Sequence, residues 1–158
     1  MTYPQRLRDV AKALRSGEYK QGTHYLWNTE RGHCCWGVAC DLYGKENDIP
    51  WNSKPDVRLF EEIKVRCFFG NIAEPPVQVL LWLGIHGIGI DLMTLPEHLS
   101  MFGFAHRPDV PAVHAIESVL MYANDHGVPF PKIAEVFGIL ADALENPTLA
   151  PPYLILEK

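Results

Sequence analysis

The chain has 158 residues, a mass of 17.9 kDa, 47% apolar and 21% charged residues, and four Trp, six Tyr and seven Phe. Those values describe one globular domain spanning residues 1–158, large enough to fold without disulfide or metal staples, and they argue against intrinsic disorder. A net charge of −5, a pI near 5.8 and the lack of a long Lys/Arg run make nucleic acid a poor partner.

No stretch approaches the roughly 20 apolar residues of a membrane span. The N-terminus Met1-Thr2-Tyr3-Pro4-Gln5-Arg6 lacks the apolar core of a signal peptide. A soluble, cytoplasmic protein with no membrane partner is therefore expected. The 13 Pro and 12 Gly predict many turns and short elements.

In chain order, Leu7, Val10, Ala11 and Leu14 fall at i, i+3, i+4 and i+7 and predict a first helix, with Pro4 in its first turn and Ser16-Gly17 at its end. Tyr25-Leu26-Trp27 and His33-Cys34 flank Thr29-Glu30-Arg31-Gly32 as strands flank a hairpin turn. Cys35, Val38, Ala39 and Leu42 predict a second helix closed by Gly44, and the polar, Pro-containing stretch 45–56 a surface loop. Ile63, Val65, Cys67 and Phe69 alternate with Lys64, Arg66 and Phe68, the period of a strand exposed on one face.

A short helix is predicted from Val77 to Leu83, stopped by Gly84. The Gly-rich run 84–90 carries no clear period, and the stretch from Leu92 to Phe104 is expected to be irregular or a short helix after Pro96. Asp109 and Pro111 suit the start of a helix with Val113, Ile116, Leu120 and Ala123 in its stripe. Asn124-Asp125-His126-Gly127 signals a turn, Pro131 opens a last helix that ends at Asn146-Pro147, and Leu154-Ile155-Leu156 suits a terminal strand. The expected fold is α+β and mainly helical, with a small antiparallel sheet and a C-terminal αα-hairpin.

Four cysteines and seven histidines offer the obvious chemistry. Cys35 stands at a predicted helix N-terminus, where the helix dipole favours thiolate, so a cysteine hydrolase with Cys35 as nucleophile and His86 or His106 as base is one alternative. The run Cys35-Trp36-Gly37-Val38 is similar to the Cys-Ser-Gly-hydrophobic run of bacterial cell-wall amidases, with Trp36 in place of Ser. The bland reading of Cys35 is a small core residue. His33, Cys34 and Cys40 form an alternative metal set, but the spacing is poor for a zinc knuckle and no cofactor is expected.

Gly84-x-x-Gly87-x-Gly89 is not a nucleotide fingerprint, and no P-loop is present. Aromatics concentrate in the first half, with Trp27, Trp36, Trp51, Tyr19, Tyr25 and Tyr43 among them. Beside Arg31 and His33 they suit a pocket for a planar or anionic ligand between the hairpin and the second helix. Trp27, Arg31, His33 and Trp36 are the candidate ligand-binding residues.

Two motifs carry a resemblance. Cys34-Cys35-Trp36-Gly37-Val38-Ala39-Cys40 and the run Leu120 to Ala134, with Asn124-Asp125-x-Gly127 and Phe130-x-x-Ile133-Ala134, resemble signatures of a family of small uncharacterised proteins encoded by bacteriophages and prophages. Trp36 replaces that family's usual Leu. The resemblance implies an accessory protein that acts by binding, in counter-defence or host takeover, in the host cytoplasm. Its partner would be a host protein or a sequestered nucleotide-like small molecule. A virion-associated structural role is a further alternative, and self-association through the exposed strand face stays open. Physically, Asn124-Asp125-x-Gly127 reads as a cap and turn for the αα-hairpin, and Gly37 as a point of close approach.

Overall fold

The structure, a computed structural model, describes residues 1–52, 65–102 and 112–156. Expectations that fall on Ile63, Lys64, His106, Asp109 and Pro111 lie outside the described residues. Among the described residues five helices, α1 (Tyr3–Arg15), α2 (Cys35–Asn47), α3 (Val77–Leu83), α4 (Ile116–Asp125) and α5 (Phe130–Glu145), accompany six short strands. These are β1 (Trp27–Asn28), β2 (Gly32–His33), β3 (Val65–Arg66), β4 (Gly89–Asp91), β5 (Val113–Ala115) and β6 (Leu154–Ile155). They form two antiparallel three-stranded sheets, ordered β2-β1-β3 and β5-β4-β6. The result is the expected mainly helical α+β fold around one apolar core.

α1 begins where the Thr2 side chain accepts from the Gln5 N–H and ends at Ser16, followed by Gly17 at φ +77°. Its stripe Leu7, Val10, Ala11 and Leu14 is buried, and the helix packs along α5, whose Ile133, Ala134, Phe137, Leu140 and Ala141 face inward. α4 and α5 are joined by the four residues 126–129, with Gly127 at φ +85°. β6 adds to β4, and the Asp91 N–H donates to the Tyr153 carbonyl at 2.7 Å, so the C-terminal segment completes the second sheet.

Three expectations are corrected. Gly44 does not close α2, which runs on to Asn47 and ends at Asp48 in the left-handed region (φ 56°). Gly44 is instead a contact point, where a Cβ would stand 2.6 Å from the Ile49 carbonyl oxygen and 3.3 Å from the Phe68 ring. Val113 belongs to β5, not to a helix, because it pairs with Asp91 of β4, and α4 starts at Ile116. The alternation of the third strand fails at its end. The chain turns at Phe69 (φ 49°), so Phe68 is buried and Phe69 is 44% exposed.

The first hairpin forms with shifted bounds: its strands are Trp27–Asn28 and Gly32–His33, so Tyr25 and Leu26 precede the pairing, Gly32 joins the return strand and Cys34 caps α2. Asn28 Oδ1 accepts from the N–H groups of Glu30 and Arg31 and shapes the turn. Gly32 (φ +110°) is required there, since a Cβ would lie 2.1 Å from the Lys20 carbonyl oxygen.

Candidate functional site

The motif residues converge, and what they build is a joint. Cys34 is the N-cap of α2, its Sγ accepting from the Gly37 N–H at 3.4 Å. At Gly37 a Cβ would come within 1.6 Å of the Leu26 carbonyl oxygen, so α2 lies directly on the backbone that leads into β1. Asn124 is fully buried and saturated. Its Oδ1 accepts from the Cys35 N–H (3.2 Å) and from Gln21 Nε2 (3.3 Å), and its Nδ2 donates to the Gly22 carbonyl (2.9 Å).

Gln21 also donates to the Val128 carbonyl and accepts from the Phe130 N–H, while Asp125 Oδ1 accepts from the His24 N–H. The two signatures thus hold the start of α2, the loop 21–24 and the α4–α5 turn together. Asn124 does more than cap its own helix.

Thiol chemistry finds no support in this geometry. Cys35 is fully buried, its Sγ donating to the Leu120 carbonyl at 3.7 Å. Burial pushes the Cys35 and Cys40 thiols well up and Cys34 up to about 12, which overrides the helix dipole. Cys35 therefore takes the place of the small core residue, the plainer of its two sequence readings, and the thiolate alternative has no geometric support. His86 is exposed, and His106 lies outside the described residues. Among the described residues no group of three or more His, Cys, Asp or Glu could hold a metal, so the alternative set His33, Cys34 and Cys40 does not converge.

The hairpin face is different. The register pairs Trp27 with His33 on one side and with Arg66 on the other. The His33 ring stacks on Trp27 with centroids 4.9 Å apart and planes 10° apart, and Tyr19 and Trp51 meet it edge-on at 5.3 and 5.9 Å. The Arg66 guanidinium lies over the Trp27 ring at 5.9 Å. Beneath these rings Asp41 accepts from the Tyr19 hydroxyl (2.6 Å), Trp51 Nε1 (3.0 Å) and Lys45 Nζ (2.8 Å).

Burial works to raise the Asp41 carboxyl, but the bonds from Lys45, Tyr19 and Trp51 prevail and hold it below its ordinary value. Burial pulls His33 down to about 4, against the field of Asp41, so the imidazole is neutral at pH 7. An open groove beside the cluster is lined by Asp41, Gly44, Lys45, Asp48, Ile49, Pro50 and Trp51.

Of the four candidate ligand residues, Trp27 and His33 are together in this cluster, and Arg31 stands exposed in the hairpin turn. Trp36 is elsewhere. It is fully buried, edge-on to Phe137 at 5.5 Å, with Nε1 donating to the Glu117 carbonyl. Trp36 turns inward because α2 is buried all round from Cys35 to Cys40, so being off the apolar stripe does not mean facing out.

Sequence reasoning missed Asp41, Lys45 and Arg66 as parts of this face. The i, i+4 spacing of Asp41 and Lys45 was a usable signal. Arg66 had none, because its place depends on strand register.

Among the described residues no helix is long and apolar enough to cross a membrane. No curated protein and no solved structure matches the chain. One family does match, over residues 5–140, and it takes in both motifs, the hairpin and most of α5. The chain belongs to that family, described as a domain of unknown function (DUF8296).

Proposed function

We propose that this protein acts by binding rather than by catalysis, as a phage-type accessory protein whose contact surface is the hairpin face around Trp27, His33, Trp51 and Arg66. One observation carries the reading: the half-buried row His33–Trp27–Arg66 is a pre-formed aromatic and cationic surface. The buried, neutral thiols weigh against the hydrolase alternative. The motif resemblance supplies the phage context, in which the protein would occupy a host protein or sequester a nucleotide-like small molecule in counter-defence or host takeover.

Native mass spectrometry of the protein purified from bacterial cells, followed by denaturation of the same sample, tests the reading. A bound mass that is lost on denaturation, and absent from Trp27→Phe, supports it. So does a host protein captured by the wild type and released by the same variant. A clean apo mass and no captured partner, or retention by Trp27→Phe equal to wild type, overturns it.

A further inference from the structure

The hairpin face has an unequal balance of spent and unspent charge. Among the described residues the carboxylate beneath it, Asp41, is committed to three donors, and one of them, Lys45, is committed in return to Asp41 and to the Tyr19 hydroxyl. His33 carries no charge at neutral pH. Arg66 is the exception: among the described residues no carboxylate stands within ion-pair distance of its guanidinium.

Its setting suits an anion. Directly paired residues of an antiparallel ladder share a face of the sheet, and β1 lies between β2 and β3. His33 and Arg66 therefore flank Trp27 from opposite sides. The Arg66 guanidinium carbon stands 5.9 Å from the centre of the Trp27 ring. The guanidinium N–H groups form a fork that matches carboxylate or phosphate, and no carboxylate among the described residues meets it. His33 and Arg66 cover the two faces of Trp27, so a planar ligand would meet the outer side of this row, where its anionic group finds one half-buried fork.

The charge of the rest of the chain narrows the class further. A net −5 repels a polyanion at long range, so a single small anion is favoured over nucleic acid.

We infer that the row His33–Trp27–Arg66 is a recognition site for a planar, phosphate-bearing ligand of the nucleotide type, with the Arg66 guanidinium receiving the phosphate. This rests on the hairpin face being the binding surface. The test is calorimetric titration with the common nucleoside 5′-monophosphates and their parent nucleosides, on wild type, Arg66→Gln and Arg66→Lys. The wild type is expected to bind at least one monophosphate more tightly than its nucleoside.

Arg66→Gln should weaken that monophosphate about tenfold or more, the size of a lost charge-assisted bond, and leave the nucleoside unchanged. Arg66→Lys, which keeps the charge and loses the fork, should fall between them. Equal wild-type affinity for nucleoside and monophosphate, or an Arg66→Gln protein that binds the monophosphate like wild type, overturns the phosphate assignment while leaving the aromatic surface standing. No binding of either class by wild type overturns the assignment. Joined to a clean apo mass and no captured partner in the native measurement, it removes the binding surface as well.

Discussion

Two polar assemblies, one at Asn124 against the N-terminus of α2 and one at Asp41 in the middle of that helix, treat their surroundings differently. Around Asn124 the partners include the backbone N–H of Cys35 and the carbonyl of Gly22, and the side chain has no exposed surface. Around Asp41 the partners are side chains, Tyr19, Trp51 and Lys45, which themselves reach the surface. Backbone partners make a joint that fixes chain path. Side-chain partners make a platform that fixes rings and leaves their outer parts available. The difference separates residues that fix the chain path from residues whose side chains stay partly exposed.

The comparison breaks first, and hardest, at Gly37. Gly37→Ala drives a methyl into the Leu26 backbone carbonyl, which has no side-chain freedom to give way, and should cost at least about 3 kcal/mol in chemical denaturation, or prevent folding. Asn124→Ala strands the Cys35 N–H and the Gly22 carbonyl in the core. A loss of about 2–4 kcal/mol is expected from the same measurement, with no protection of the thiols lost until unfolding. If Asn124→Ala unfolds like wild type, Asn124 is not the joint described here.

The Asp41 side is sharpened by pH. His33 titrates at 6.5 when unfolded and at about 4 when folded, so the unfolded state binds the extra proton between those values. The stabilisation is complete above pH 6.5 and declines as pH falls toward 4. The Asp41 contribution, held by a lowered carboxyl, persists until below its ordinary 3.8 and does not confuse that window. Urea unfolding at pH 7 and pH 5 should show a smaller pH dependence in His33→Phe than in wild type. An equal dependence would mean that His33 is solvated.

The smallest effect belongs to Arg66→Gln. It should leave stability within about 0.5 kcal/mol of wild type, because the side chain lies at the surface of the row. A large destabilisation would place Arg66 in the architecture instead.

Much of the helical frame was legible in the residues. The stripe of α1, the Val77–Leu83 helix stopped at Gly84, and the Asn146-Pro147 end of α5 all rest on local period and capping, which neighbouring residues decide. The errors are of another kind. Trp36 and Gly44 were misplaced because α2 is packed on nearly every side, which erases the amphipathic period. Val113 was drawn into a helix because its spacing fits one, while β4 supplied the hydrogen-bond partner that a spacing rule does not see. β4 itself lies in a Gly-rich run with no period, yet both β5 and β6 need it.

For the candidate site, Trp27 and His33 were visible because a hairpin turn places facing residues by short-range rules. That Cys34-Cys35 and Asn124 matter was visible as motif, and their common task was not. Cys35 and Asn124 are 89 residues apart in the chain and meet only once the core has closed. Local chemistry, carried within a few residues by spacing, caps and turns, was enough to specify the helices and the first hairpin. Burial, strand register and long-range hydrogen bonds decided that the cysteines lie in the core, which tryptophan joins the hairpin face and which arginine beside it has no carboxylate partner among the described residues. These depend on segments that the chain order keeps far apart.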